Sequence, residues 1–237
     1  MPDHIHTIPV LDALREPGYC AFCAMAKKLE NDAIQFIMGP AYMEDDIRME
    51  TNRVGFCKRH MDAMYKEQNR LGLGLMLHTY MQQFNKDVSD FVKGRKPAPL
   101  FGKDMNSVIG KLKGHLTGAH EKCYVCSKVE TTFKRYVDTF LYLWSKGGYE
   151  SKLILSQKGY CIPHFIELLT VVEKLGRGKR EKFMDDIVPA WQNLMKELEG
   201  DLEWFTLKFD FRNKDEPWKN SKDAVPRAIE LLGGLNI

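Results

Sequence analysis

No stretch of this sequence approaches the ~20 consecutive apolar residues that a membrane-spanning helix needs. The opening residues Met1-Pro2-Asp3-His4-Ile5-His6 also lack the basic segment and apolar run of a secretory signal. A cytoplasmic protein with no membrane partner is therefore expected. An excess of one charge is missing as well: 35 basic residues stand against 32 acidic ones, a net charge of +3. Nucleic-acid binders carry a clustered basic face and a higher pI, so a nucleic-acid partner is disfavoured. The basic runs Lys93-Gly94-Arg95-Lys96 and Arg177-Gly178-Lys179-Arg180 read as solvated connections between helices.

Strand alternation and Asn-Gly hairpins are missing too, which argues against a sheet. So is a phosphate-cradling loop: Gly72-Leu73-Gly74 lies in an apolar helical stretch without a preceding strand. The acidic groups Glu44-Asp45-Asp46 and Asp185-Asp186 are expected on hydrated helix faces. With no catalytic constellation visible, the balance leans away from an enzyme and toward a binding protein.

What is present is a cysteine pattern written twice with nothing left over. Cys20-x2-Cys23 is followed after 33 residues by Cys57-x2-His60, and Cys123-x2-Cys126 after 34 residues by Cys161-x2-His164. Three thiols and one imidazole per copy are the donor set of a closed tetrahedral zinc site. A reducing compartment disfavours disulfides and strengthens the metal reading. The expectation is two zinc ions on Cys20, Cys23, Cys57, His60, Cys123, Cys126, Cys161 and His164. An iron–sulfur cluster is the alternative that this donor set leaves open. Ala24 and Ser127 follow the Cys-x2-Cys pairs where a c-type haem attachment needs histidine. His4, His6, His78, His115 and His120 have no counterpart in the other copy and are read as non-ligands.

Around these pairs the apolar residues fall at helical spacing. Ala26, Leu29, Ala33, Phe36 and Ile37 follow Cys23, and Val129, Phe133, Tyr136, Val137, Phe140, Leu141 and Trp144 follow Cys126. Gly39-Pro40 and Gly147-Gly148 end the two stretches. Each copy then carries a Gly-aromatic-Cys echo, Gly55-Phe56-Cys57 and Gly159-Tyr160-Cys161, and closes with a further long helix. Residues at i and i+3 share a helix face, so each ligand pair is expected at a helix start. Pro163 fixes one such start at or just before Cys161, and Pro189 is expected to kink or bound the last long helix. The aromatics Phe140, Tyr142, Trp144, Trp191, Trp204 and Phe205 are expected in core packing rather than in a ligand groove between the copies.

The predicted fold is all-α: two homologous helical repeats related by a pseudo-twofold, each organised around a Cys3His metal site, plus a C-terminal tail helix. Residues 1–94 form the first repeat, 95–118 a Pro- and Gly-rich linker, 119–210 the second repeat and 211–237 the tail. In that tail Trp218 is expected to fold back on its own core. Pairing of ligands within each copy is preferred, because closing a loop of 33 or 34 residues costs less entropy than closing a longer one; exchange between copies is the alternative.

The Cys-x2-Cys, helix, Gly-aromatic-Cys-x2-His layout resembles a family of cytosolic bacterial helical proteins that carries two such repeats over most of the chain. The resemblance implies metal ligation by the same eight residues and no particular activity. The expected role is binding of a protein or small-molecule partner, the rival role being redox or oxygen sensing through clusters or oxidisable zinc thiolates.

Overall fold

A computed structural model describes residues 4–93 and 105–234. Eleven α-helices occur among them: α1 (Thr7–Arg15), α2 (Ala21–Met38), α3 (Asp45–Val54), α4 (Lys58–Lys66), α5 (Arg70–Lys93), α6 (Met105–Glu121), α7 (Tyr124–Lys146), α8 (Gly148–Leu155), α9 (Ile162–Val172), α10 (Arg177–Leu207) and α11 (Ala224–Gly233). No strand is found among the described residues, so the all-α expectation holds. None of these helices is long and apolar enough to cross a membrane.

The helix ends obey the local chemistry. Gly147, at φ +78°, stops α7, and Gly234, at φ +72°, stops α11 in conformations that cost glycine least. Pro226 sits in the first turn of α11, where a missing N–H is harmless. Pro189 neither ends nor interrupts α10, which runs through it for 31 residues. Residues 105–118 of the expected linker lie within α6. The glycines at 110, 114 and 118 recur every fourth residue along one helix face instead of breaking the chain; residues 95–104 lie outside the described set. Helix α1 had no periodic signal in the reading above, yet it buries Val10, Ala13 and Leu14.

The chain divides into two compact units that do not follow the two copies. One comprises residues 1–28 with 132–237, the other residues 29–131. In the first, Phe22, Phe140 and Tyr160 are buried together, with ring centroids 4.9 to 5.9 Å apart. Trp144 donates its indole N–H to Asp186 at 2.9 Å, and Lys182 pairs with the same carboxylate. Asp186 is thus a structural acceptor. Trp191 stacks on Phe165 at 4.8 Å and donates to the carbonyl of Tyr160. The tail returns to α10 as expected: Trp218 meets Phe205 at 5.9 Å, and Trp204 donates to the carbonyl of Pro217.

The second unit is centred on Ile34, Ile37, Phe56, Met64, Met76, Tyr124 and Val125. Asp45 and Asp46 occupy the first turn of α3, where carboxylates complement the helix dipole.

The two glycines before the aromatic-Cys pairs are needed for different reasons. Gly55 caps α3 at φ +72°, and a Cβ there would stand 2.8 Å from the Tyr80 ring. Its carbonyl accepts the free N–H of Tyr124 at the start of α7, 2.9 Å away. Gly159 makes room for Leu194, whose Cδ2 would lie 2.7 Å from an added Cβ. Gly55→Ala combines left-handed strain with a clash against a ring. It should lower the unfolding free energy by ~2 kcal/mol or more in a urea titration, with the m-value unchanged.

Candidate metal centres

All four ligand pairs sit at helix starts. Cys57 and Cys161 are the residues immediately before α4 and α9, in extended conformation, and each offers its carbonyl to the first helical turn. Cys20 and Cys123 stand in the same relation to α2 and α7. None of these positions holds the Ser, Thr, Asp or Asn that usually caps a helix. Cysteine stands in that place instead, beside the unpaired N–H groups and the positive end of each helix dipole.

The eight predicted residues gather into two groups of four. Cys20, Cys23, Cys161 and His164 form one; Cys57, His60, Cys123 and Cys126 form the other, with all donor atoms in each group within 4.8 Å of one another. Every group thus takes a Cys-x2-Cys pair from one copy and a Cys-x2-His pair from the other.

Pairing within copies, preferred above, is overturned, and helix lengths give the reason. At 1.5 Å per residue, α2 carries the chain roughly 27 Å away from Cys20, while α3 returns only about 15 Å before Cys57. In the second copy α7 runs about 34 Å and α8 about 12 Å. Lengthening the loop costs little in compensation: each doubling adds only about 0.6 kcal/mol.

The spacing within each group fits one ion. In the first, Nδ1 of His164 lies 3.1 Å from Cys161, 3.3 Å from Cys23 and 3.6 Å from Cys20, and Cys23 lies 3.5 Å from Cys161. In the second, Nδ1 of His60 lies 3.2 Å from Cys57, 3.2 Å from Cys123 and 3.4 Å from Cys126, and Cys57 lies 3.9 Å from Cys126. A tetrahedron with Zn–S of about 2.3 Å and Zn–N of about 2.05 Å has S–S edges near 3.8 Å and S–N edges near 3.5 Å. Both imidazoles present Nδ1 to the group, so Nε2 is free to meet a supporting residue.

That support differs between the groups. His60 is fully buried, and its Nε2 is 2.7 Å from Glu30 Oε1, a carboxylate also held by Arg59 at 2.9 Å. A metal-bound imidazole that gives its second N–H to a carboxylate is fixed in tautomer and orientation and becomes a stronger ligand. Burial lowers the pKa of His60 against the opposing pull of Glu30, keeping the ring neutral and ready to ligate.

His164 has rings in place of a carboxylate: Phe133 lies 5.2 Å away and Phe22 6.1 Å. Glu30 and Phe133 occupy corresponding places, each seven residues after the second cysteine of its copy. Burial would lower the pKa of His164, but its bonds to Cys161 and Cys23 outweigh that and raise it to about 9.

The thiols differ too. Cys20 is pushed well up by bonds to Cys161 and Cys23 and by burial. Burial and the charge of Cys123 push Cys126 up to about 12. For Cys57, burial pulls upward, yet the His60 backbone N–H, the other two thiols and Arg59 outweigh it and hold the thiol below its usual value. Cys57 is partly exposed, and the donor side of Cys126 opens to solvent, whereas Cys23 and Cys161 of the other group are buried.

Sequence reasoning missed Glu30. Its signal was a lone carboxylate two helical turns beyond Cys23 on a face otherwise apolar, at the place where the second copy has phenylalanine. His6, His78, His115 and His120 are not among the donors of either group. The model of a family of unknown function matches residues 1–236. No curated protein and no solved structure matches the chain.

Replacing Glu30 by Gln keeps the hydrogen-bond reach and removes the charge. Metal retention by Cys57, His60, Cys123 and Cys126 should fall roughly 10- to 100-fold in chelator competition, while the other group keeps its affinity.

Proposed function

The chain belongs to the DUF6062 family, and because that membership carries no activity with it, we propose from the geometry that the protein is a helical zinc protein acting as a binding module. Two closed Cys3His centres would hold helix starts together so that the helices can present a surface to a protein or small-molecule partner. The observation that carries this reading is that each group supplies four protein donors within 4.8 Å. Four protein ligands leave zinc no open position for water or substrate, the arrangement of a structural site.

The same compactness speaks against a cluster, which spreads its ligands over several irons bridged by sulfide. No disulfide joins the cysteines among the described residues. Protein purified without oxygen or added metal should contain about two zinc ions per chain and show no visible colour. Iron with sulfide and a broad band near ~400 nm would overturn the zinc assignment.

The second reading, an oxidisable zinc-thiolate sensor, is favoured by one asymmetry. The group with the solvent-open Cys126 is also the group whose Cys57 is flanked by Lys58 and Arg59. Thiolate character and access together set reactivity toward peroxide. With a chromogenic zinc chelator, zinc should leave this group before the other, and Cys57→Ser should remove the fast phase. Simultaneous or reversed release would eliminate the sensor reading.

A further inference from the structure

Within the unit of residues 29–131, helices α3, α5 and α6 enclose a groove of ≈ 510 Å³ that none of the metal ligands lines. Its size suits a small molecule.

Three independent features point to an occupant. The first is the wall contributed by α6. Gly114 and Gly118 lie there in the middle of a helix, where glycine is unfavourable relative to alanine. Close packing does not require them: nothing lies within 4 Å of a Cβ built on Gly114, and only the end of the Lys122 side chain approaches one on Gly118. They make space instead.

The second feature is His115, which lines the groove between Phe84 at 5.2 Å and Phe91 at 5.4 Å. Its Nε2 is buried with no hydrogen-bond partner, a state that native proteins seldom leave unsatisfied.

The third feature is charge at both ends. Phe84, Asp87 and Phe91 share one face of α5. The placement of His115 between the two rings therefore sets Asp87 beside it. One oxygen of Asp87 accepts from Gln83 at 2.7 Å, and the other is available to a donor. Lys122 lies along Gly118, its Nζ 3.7 Å from the Cβ position, and it makes no ion pair among the described residues. Arg53, held by Glu50, lines the groove with Lys122.

We propose that this groove binds a small zwitterionic peptide of dipeptide size with an aromatic or apolar side chain. Its carboxylate would lie at Lys122 and Arg53, its ammonium at Asp87, and its side chain against Tyr80, Phe84 and His115. A dipeptide carries one charge of each sign at its two ends, the two signs that line this groove, and the amides of Asn52 and Gln83 line it where the peptide backbone would run. An aromatic anion without an ammonium group would leave Asp87 facing an apolar surface. The proposal rests on the binding role inferred above and makes no use of the metal.

The test is calorimetric titration of the full chain with phenylalanyl-alanine, alongside its N-acetylated and C-amidated forms, with zinc measured on the same preparation. The free dipeptide should bind, and blocking either terminus should weaken it roughly fivefold or more. Gly114→Leu, which has room for its Cβ and fills the groove, should abolish binding while leaving zinc content unchanged and the melting temperature unchanged or higher. Asp87→Asn should remove the preference for the free amine. No binding to the wild-type protein, equal binding of the blocked forms, or full binding by folded Gly114→Leu would overturn the proposal. Dipeptide binding by a chain without zinc would sink the metal reading alone; two zinc ions without dipeptide binding would sink the groove alone.

Discussion

The structure depends on the convergence of helix starts. Four helices begin at a cysteine, and in two places a pair of those beginnings meets with three sulfurs and an imidazole between them. An isolated helix start leaves its first N–H groups unpaired and its positive dipole end uncompensated. Thiolates around a divalent cation would carry net negative charge, so a metal held between two starts would compensate both dipoles. The core then follows. Phe56 and Tyr160, fixed one residue before their cysteines, are driven into the interior of their units, and Gly55 and Gly159 exist to let neighbouring side chains approach.

The donor set and its helical setting were legible because they depend on residue type and local spacing. Cys-x2-Cys and Cys-x2-His at i and i+3 define a common face, and Pro163 lies in the first turn of α9. The pairing of the donors was not legible from loop length, because the deciding quantity is the mismatch between long outgoing helices and short returning ones. α2 has 18 residues and α3 has 10. Weighing helix lengths against each other would have suggested the exchange; weighing loop entropy alone did not. The glycines of α6 misled for a related reason. Gly110, Gly114 and Gly118 look like chain breaks when counted, but their four-residue period is that of a helix face opening on space.

The duplicated pattern conceals a chemical division between the two centres. One histidine gives its outer N–H to a carboxylate that an arginine also holds; the other lies among aromatic rings. Solvent reaches the sulfurs on the carboxylate-backed side, where basic side chains also cluster. One group thus lies in a buried apolar setting, and the other is flanked by charge. The near-identical spacing of the ligands in the two copies gives no hint of this, since Glu30 and Phe133 lie seven residues beyond the second cysteine of each copy.

The crossed pairing has a further consequence for how the molecule comes into being. The ligands of one centre are 63 to 69 residues apart across the copies, and those of the other 138 to 144. The shorter span lies wholly inside the longer, like one bracket inside another. On a ribosome the inner bracket can close once Cys126 has emerged, while Cys20 and Cys23 must wait until His164 appears. During that interval a finished inner unit coexists with two exposed thiols that have no metal-binding partners. The two donor groups are therefore completed in a fixed order along the chain, Cys57, His60, Cys123 and Cys126 before Cys20, Cys23, Cys161 and His164.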